Sequence, residues 1–222
     1  MDHFVRLKNV TRRAVQSWGR ASWKRALWNR EFSAGRWDHL SDTSGDCIYR
    51  YVENYATHGD ILDLGCGTGN TANELAYVAY DTYTGVDISD VALAKASERS
   101  GANGRQHKNR FVESDIAAYE PDRTYRVILF RESLNYIPIA RIVGVLRRYR
   151  AWLAPDGVFI VRLYDRNKYH SIVRLIREDF HVVEAFLPQD SVTVSWFSND
   201  CGDATAACVR MRCDVPAPRH AG

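Results

Sequence analysis

The sequence predicts an α/β sandwich, parallel strands joined by crossover helices, and three observations carry that reading. From residue 60 onward, short apolar runs alternate with stretches of helical periodicity. A glycine-rich loop, Gly65 to Gly69, joins one such run to a helical stretch. Val127 to Phe130 is an unbroken apolar run, as expected of a strand buried on both faces of a parallel sheet. At 222 residues, 45% hydrophobic and 26% charged, the chain can bury roughly 70% of its unfolded surface in one domain, which excludes disordered and fibrous classes.

Taken in order, residues 1–55 lie outside the alternating pattern and read as a helical N-terminal extension. Phe4, Leu7, Ala14, Trp18 and Ala21 recur at near-helical spacing, which predicts a helix packed on the main domain with Arg and Lys facing water. Residues 1–30 hold eight Lys or Arg against the single acid Asp2, a charge of +7, and the remaining 22 basic and 26 acidic residues give −4. Such an arm could instead touch a phosphate backbone, an anionic membrane surface or an acidic partner.

A first strand spans 61 to 64 and a helix about 70 to 80. The second strand, 83 to 86, ends at Asp87, and Ser89 or Asp90 caps the helix that follows. Strands at 110 to 113 and 127 to 130 precede an amphipathic helix over about 139 to 153, stopped by the turn signal Pro155-Asp156-Gly157. Strand 158 to 163, a helix at 168 to 178, a strand at 181 to 187 and a last strand at 204 to 212 that hairpins back complete the domain, 56–214. Residues 215–222, with two prolines, read as a frayed tail.

No apolar run approaches the roughly 20 residues of a membrane span, and the N-terminus shows no apolar signal core. The five cysteines are odd in number, scattered and without a CxxC pair, so neither a disulfide framework nor a zinc site is expected, and a reducing cytoplasm is the expected compartment. No metal is implied, because no His, Asp or Cys cluster shows ligand spacing.

The loop Asp63-Leu64-Gly65-Cys66-Gly67-Thr68-Gly69-Asn70 lets a ligand approach the backbone. Asp87, ending the next strand eighteen positions beyond Gly69, can accept from both hydroxyls of a ribose, so the pair indicates an adenosine-type ligand. The dinucleotide fingerprint GxGxxG would need glycine where Asn70 stands, which disfavours a nicotinamide oxidoreductase. Asp63, inside the strand before the glycines, suits a cationic amino group and would repel a diphosphate.

With "ILDLGCGTGN" at 61 to 70, "VDIS" at 86 to 89 and "ESDI" at 113 to 116, the chain resembles class I S-adenosylmethionine-dependent methyltransferases over about 60 to 213. The resemblance implies a Rossmann-like three-layer α/β sandwich with a seven-stranded, mostly parallel sheet in the order 3-2-1-4-5-7-6, the last strand antiparallel. It implies S-adenosyl-L-methionine as cofactor. Asp63 would hold the methionine end with Arg131 nearby, the loop Gly65, Cys66, Gly67 and Gly69 would lie along the cofactor, Asp87 and Ile88 would meet the ribose, and Asp115 and Ile116 the adenine.

Methyl transfer from a sulfonium is an in-line displacement, so the protein must mainly align the acceptor, and an alcohol acceptor needs a base. Arg131-Glu132-Ser133-Leu134-Asn135-Tyr136 follows the fourth strand, where ligands sit in parallel sheets. "FRESLNYI" is similar to the corresponding stretch of small-molecule and glycan methyltransferases and does not match the (Asp/Asn)-Pro-Pro-(Tyr/Phe) motif of nucleic-acid enzymes. Glu132 is the first candidate base, with pairing to Arg131 or helix capping as its structural alternative. His39 is the second candidate.

Trp37, Tyr136 and Tyr164 are candidate acceptor contacts. Asp165 either joins them or caps the next helix, and Trp28, Phe32 and Trp37 either stack on the ligand or pack together. The expectation is a methyltransferase acting on a hydroxyl or amine of a small polar acceptor, a sugar, glycan or natural-product intermediate, as a monomer or homodimer without nucleic acid. An RNA or protein methyltransferase using the basic arm, and a catalytically silent cofactor-binding partner subunit, are the alternatives.

Overall fold

The computed structural model describes residues 2–40, 43, 45–182, 184–186 and 192–197. Its sheet contains β1 (Ile61–Leu64), β2 (Tyr83–Asp87), β3 (Asn109–Glu113), β4 (Tyr125–Arg131), β5 (Leu153–Leu163), β6 (Glu184–Phe186) and β7 (Val192–Phe197). Across the sheet the order is β3-β2-β1-β4-β5-β7-β6. β1 to β5 are parallel, and β7 runs antiparallel to both β5 and β6. The strand expected at 204 to 212 lies outside the described residues, and the antiparallel partner of β5 is instead 192–197, whose Val192, Val194 and Trp196 alternate with polar residues.

Strand order reverses between β1 and β4, so a crevice opens at their carboxyl ends. Each inner strand buries both faces. Leu62, Leu64, Ile128, Phe130, Phe159 and Val161 point to one core, under α6 (Ile139–Arg150) and α7 (His170–Asp179). Ile61, Tyr83, Val127, Leu129, Val158 and Ile160 point to the other, under α3 (Cys47–Ala56) and α4 (Asn70–Glu74). This two-sided burial is the physical origin of the continuous apolar runs, with each fully buried aliphatic contributing roughly 1.5–3 kcal/mol.

Two local expectations are corrected. The helix expected over 70 to 80 stops at Glu74, because the Ala72 and Leu75 carbonyls are taken by the Arg105 guanidinium, and Ala72 also by Asn109, instead of by further helical amides. A short 3-10 turn, Tyr77–Ala79, follows. Pro155-Asp156-Gly157 does not terminate an element but lies within β5 as an irregularity, where the register against β4 shifts between Tyr125 and Val127. A Cβ on Gly157 would sit 2.8 Å from the Tyr125 carbonyl oxygen, so glycine lets the two backbones meet.

The N-terminal arm forms two helices, α1 (Asp2–Trp18) and α2 (Ala21–Ser33). They part at Gly19, where a Cβ would stand 2.5 Å from the Val15 carbonyl oxygen. Of the positions expected to pack, Ala14, Trp18 and Ala21 are exposed and the side chains of Phe4 and Leu7 lie outside what the structure describes, whereas Gln16 is buried and Arg12, Arg13, Lys24 and Arg25 make contacts within the chain. α3, although it begins inside the 1–55 segment, buries Ile48, Val52 and Ala56 in the second core. Asp46 caps it, accepting from the Ile48 amide at 3.2 Å.

Candidate active site

The loop after β1 turns on three glycines in the left-handed region, Gly65 (φ 86°), Gly67 (φ 54°) and Gly69 (φ 72°). Cβ atoms at Gly65 and Gly69 would collide with Ser133 and Ala96, at 2.4 and 2.8 Å, so these two glycines serve packing. At Gly67 nothing lies within 3.8 Å of that position, and the backbone is open to a ligand. Cys66 is buried, its thiol pushed up by burial and by the Asp87 and Asp63 carboxylates.

Asp87 braces this loop. One carboxylate oxygen accepts from the Gly67 amide and the other from the Ser89 amide, both at 2.9 Å. Ser89, not Asp90, caps α5 (Asp90–Ala102), accepting from the Ala92 amide at 3.1 Å. Ile88 between them is half-buried. Asp63 projects from β1 toward Tyr83, whose hydroxyl donates to Oδ2 at 2.6 Å, while Asp63 Oδ1 is buried with no hydrogen-bond partner. Burial lifts the Asp63 carboxyl to about 6. An orphaned carboxylate oxygen beside an open glycine backbone fits the ammonium end of S-adenosylmethionine.

Asp115 and Ile116 follow β3. The Asp115 carboxylate is paired with Lys24 of α2 at 2.9 Å and accepts from the Ala117 amide at 2.9 Å, and the Ile116 side chain reaches within 3.4 Å of the Cβ position of Gly65. α2 continues along this edge, with Arg25 on Glu113 and Asp90 at 2.9 and 3.1 Å and Asn29 on Ser89 at 2.7 Å.

At the end of β4, Glu132 has a φ of 57°, a left-handed conformation that costs a non-glycine residue strain. The turn aims its carboxylate across the sheet, where Oε2 accepts from the Tyr164 amide at 2.8 Å. Oε1 is buried without a hydrogen-bond partner, 3.7 Å from Arg162. Burial raises the carboxyl from 4.5 to about 7, against the lowering effect of the Tyr164 amide and of Arg162 and Arg131. Glu132 therefore neither caps a helix nor pairs with Arg131 within ion-pair distance among the described contacts. Arg131 and Arg162 both converge on one oxygen of Asp46, at 3.1 and 2.9 Å, and Arg131 lies over the Tyr49 ring. These contacts tie Arg131 to α3, while its charge still acts on the Asp63 carboxylate and lowers its proton affinity.

Beyond Glu132, Ser133 Oγ and Asn135 Oδ1 are buried and unpartnered, and the Asn135 amide donates to the Tyr169 hydroxyl at 3.0 Å. The exposed Tyr164 accepts from Lys168 at 3.0 Å. Asp165 accepts from the Lys168 amide at 2.9 Å and so serves the turn into α7. Tyr136 meets Trp28 edge-on at 4.9 Å, and Trp28, Phe32 and Trp37 pack on one another at 5.8 to 6.5 Å. His39 is exposed and stacked on Trp37 at 6.3 Å. Sequence reasoning missed Asp46, Arg162, Tyr83 and Gln16. Only Arg162 carried a signal, a charge inside an apolar strand.

A family model described as a methyltransferase domain matches residues 38–199. The chain belongs to the methyltransferase-domain family. Trans-aconitate 2-methyltransferase from Streptomyces avermitilis is 30% identical over 152 residues, 65% of this chain and 53% of that protein. The enzyme of the same name from Delftia acidovorans is 34% identical over 124 residues, 53% of this chain and 42% of the other. This methyltransferase-domain chain thus spans about half the length of those relatives. Among solved structures, a DhpI complex with S-adenosylhomocysteine aligns with a TM-score of 0.61 at 18% identity, covering 79% of this chain and 93% of the other. The N-methyltransferase NodS from Bradyrhizobium japonicum WM9 aligns with a TM-score of 0.60 at 16% identity, covering 77% and 96%. At these identities the likeness shows the fold that the methyltransferase-domain family shares.

Proposed function

We propose that the chain is an S-adenosylmethionine-dependent methyltransferase acting on a hydroxyl or amine of a small polar acceptor. The observation that carries this reading is the presence of two buried carboxylates, each with one oxygen that accepts no hydrogen bond, Asp63 on β1 and Glu132 just after β4, at the carboxyl ends of neighbouring parallel strands. Asp63 Oδ1 receives the cofactor's ammonium group, and Asp87 and the Gly67 backbone hold its ribose side. When bound, the cofactor supplies a methyl group on a positively charged sulfur. Glu132 Oε1 takes the proton from the acceptor hydroxyl as the oxygen gains the methyl, or orients an amine by accepting one of its hydrogens. Its elevated proton affinity, near 7, suits a base at neutral pH.

Half of the arm's eight cations are taken up within the chain, which favours a small acceptor over nucleic acid. Arg12, Arg13, Lys24 and Arg25 are engaged by Glu31, the Asn135 carbonyl, Asp115, and Asp90 with Glu113. Among the described residues, no helix is long and apolar enough to cross a membrane. The test is methyl transfer from labelled S-adenosylmethionine to methyl glycosides, amino sugars, trans-aconitate and a structured RNA. Label in a sugar or amine supports the reading, and label in the RNA alone overturns it.

A further inference from the structure

Gln16 is 3% exposed in the last turn of α1, and its Nε2 has no hydrogen-bond partner. A buried amide donor left unmet is costly, so its persistence calls for a group that meets it. Arg13, three residues earlier, lies about one turn away on the same helix face. The Arg13 guanidinium donates to the Asn135 carbonyl and lies 4.6 Å over the Tyr136 ring, docking this face of α1 on the 3-10 turn Leu134–Tyr136 that follows Glu132. On that turn Asn135, 6% exposed, leaves Oδ1 unpartnered, and Ser133, 5% exposed, leaves Oγ unpartnered.

We propose that α1 completes the acceptor site, and that Gln16 with Asn135 is a specificity-determining pair for a hydroxyl of an uncharged, hydroxyl-rich ligand of the glycoside class. A hydroxyl accepts one hydrogen bond and donates another, so a single ligand hydroxyl satisfies the Gln16 donor and the Asn135 acceptor together. Ser133 can do either toward a neighbouring hydroxyl. Gln16, Asn135 and Ser133 carry no charge of their own, so the orphaned set matches neutral donors and acceptors better than a polycarboxylate. The inference rests on the methyltransferase reading only in placing the reacting centre beside Glu132.

The test compares wild type with Gln16→Met, which keeps the length and helix propensity of the side chain and deletes the donor. Binding of methyl glycosides of glucose, galactose, mannose and N-acetylglucosamine, and of trans-aconitate, is read by saturation-transfer NMR, which needs no turnover. Wild type is expected to bind at least one glycoside in preference to trans-aconitate. Gln16→Met is expected to weaken that glycoside at least tenfold, to leave S-adenosylhomocysteine affinity within twofold, and to leave the melting temperature unchanged or raised. A purely structural Gln16 would lower the melting temperature and leave glycoside affinity unchanged, which overturns the proposal. Binding of no glycoside, or preference for trans-aconitate, also overturns it. Glycoside binding without methyl transfer would count against the reaction alone.

Discussion

The Lys24 ammonium lies 2.9 Å from the Asp115 carboxylate, 91 residues further along the chain, and ties α2 to the loop after β3. The residue that the family resemblance assigns to adenine is therefore already held by the N-terminal arm. With Arg25 on Glu113 and Asn29 on Ser89, α2 straps the edge along which an adenosine would lie.

Removing this strap should change the kinetics of cofactor exchange more than its affinity. Lys24→Met is expected to speed S-adenosylhomocysteine association and dissociation about threefold to tenfold, and high salt should mimic it by screening a partly exposed pair. Stopped-flow tryptophan fluorescence, sensitive to Trp23 and Trp28 on α2, reads both rates. Unchanged rates would show that α2 does not cover the entry.

Asp63 makes cofactor affinity depend on pH. Its carboxyl sits near 6 because of burial, and an ammonium ligand binds the charged form. Affinity for S-adenosylhomocysteine should be flat above pH 6 and fall by about tenfold per pH unit below it. Asp63→Asn should bind weakly at every pH, with no inflection. Calorimetric titrations across pH 5 to 8 test this, and an inflection that survives in Asp63→Asn would assign it elsewhere.

Glu132 gives two opposing pH effects. As a base it must be charged, so methyl transfer to a hydroxyl should rise with pH through about 7. For stability the sign is reversed. A carboxyl whose proton affinity is raised on folding stabilises the native state below its ordinary value of 4.5, and that contribution is lost as pH rises from 4.5 to about 7. Glu132→Gln should remove this loss and lower turnover about 100-fold or more, with cofactor affinity intact. Full turnover in Glu132→Gln would remove it as base.

Gly65→Ala tests the loop's packing. A Cβ at φ 86° would be strained and would stand 2.4 Å from the Ser133 Cβ. A loss of about 2–4 kcal/mol in urea unfolding is expected from the backbone conformation together with the clash. Gly67→Ala has room for its Cβ and should cost only the strain, about 1–2 kcal/mol. Equal losses in the two variants would contradict the packing described.

What was legible in the sequence was local. The glycine loop, Asp63 before it and Asp87 after the next strand lie within 25 residues, and their spacing reflects one β-loop-α-β unit. The place of Glu132 at a strand end was readable because it follows the apolar run 127–130 with only Arg131 between. Asp46 was not, since its partners Arg131 and Arg162 lie 85 and 116 residues away and only the sheet joins them. The arm misled because periodicity marks a helix but not its orientation. Carboxylates on the main domain and on α2 itself, the buried Glu31, the half-buried Asp115 and the exposed Asp90 and Glu113, hold the cations against the chain and leave Trp18 outside. Pro155-Asp156-Gly157 carries a turn signature, yet β4 pairs across it and absorbs the irregularity as a register shift.

The central claim is that the crevice between β1 and β4 binds S-adenosylmethionine. The most direct measurement is calorimetric titration of the purified chain with S-adenosylhomocysteine, with NADH in parallel and Asp87→Ala as the site variant. The account predicts micromolar binding of S-adenosylhomocysteine alone, weakened in Asp87→Ala by about 1–3 kcal/mol, the cost of losing hydrogen bonds to a charged group. Binding of NADH instead, or S-adenosylhomocysteine affinity unchanged in Asp87→Ala, would contradict it.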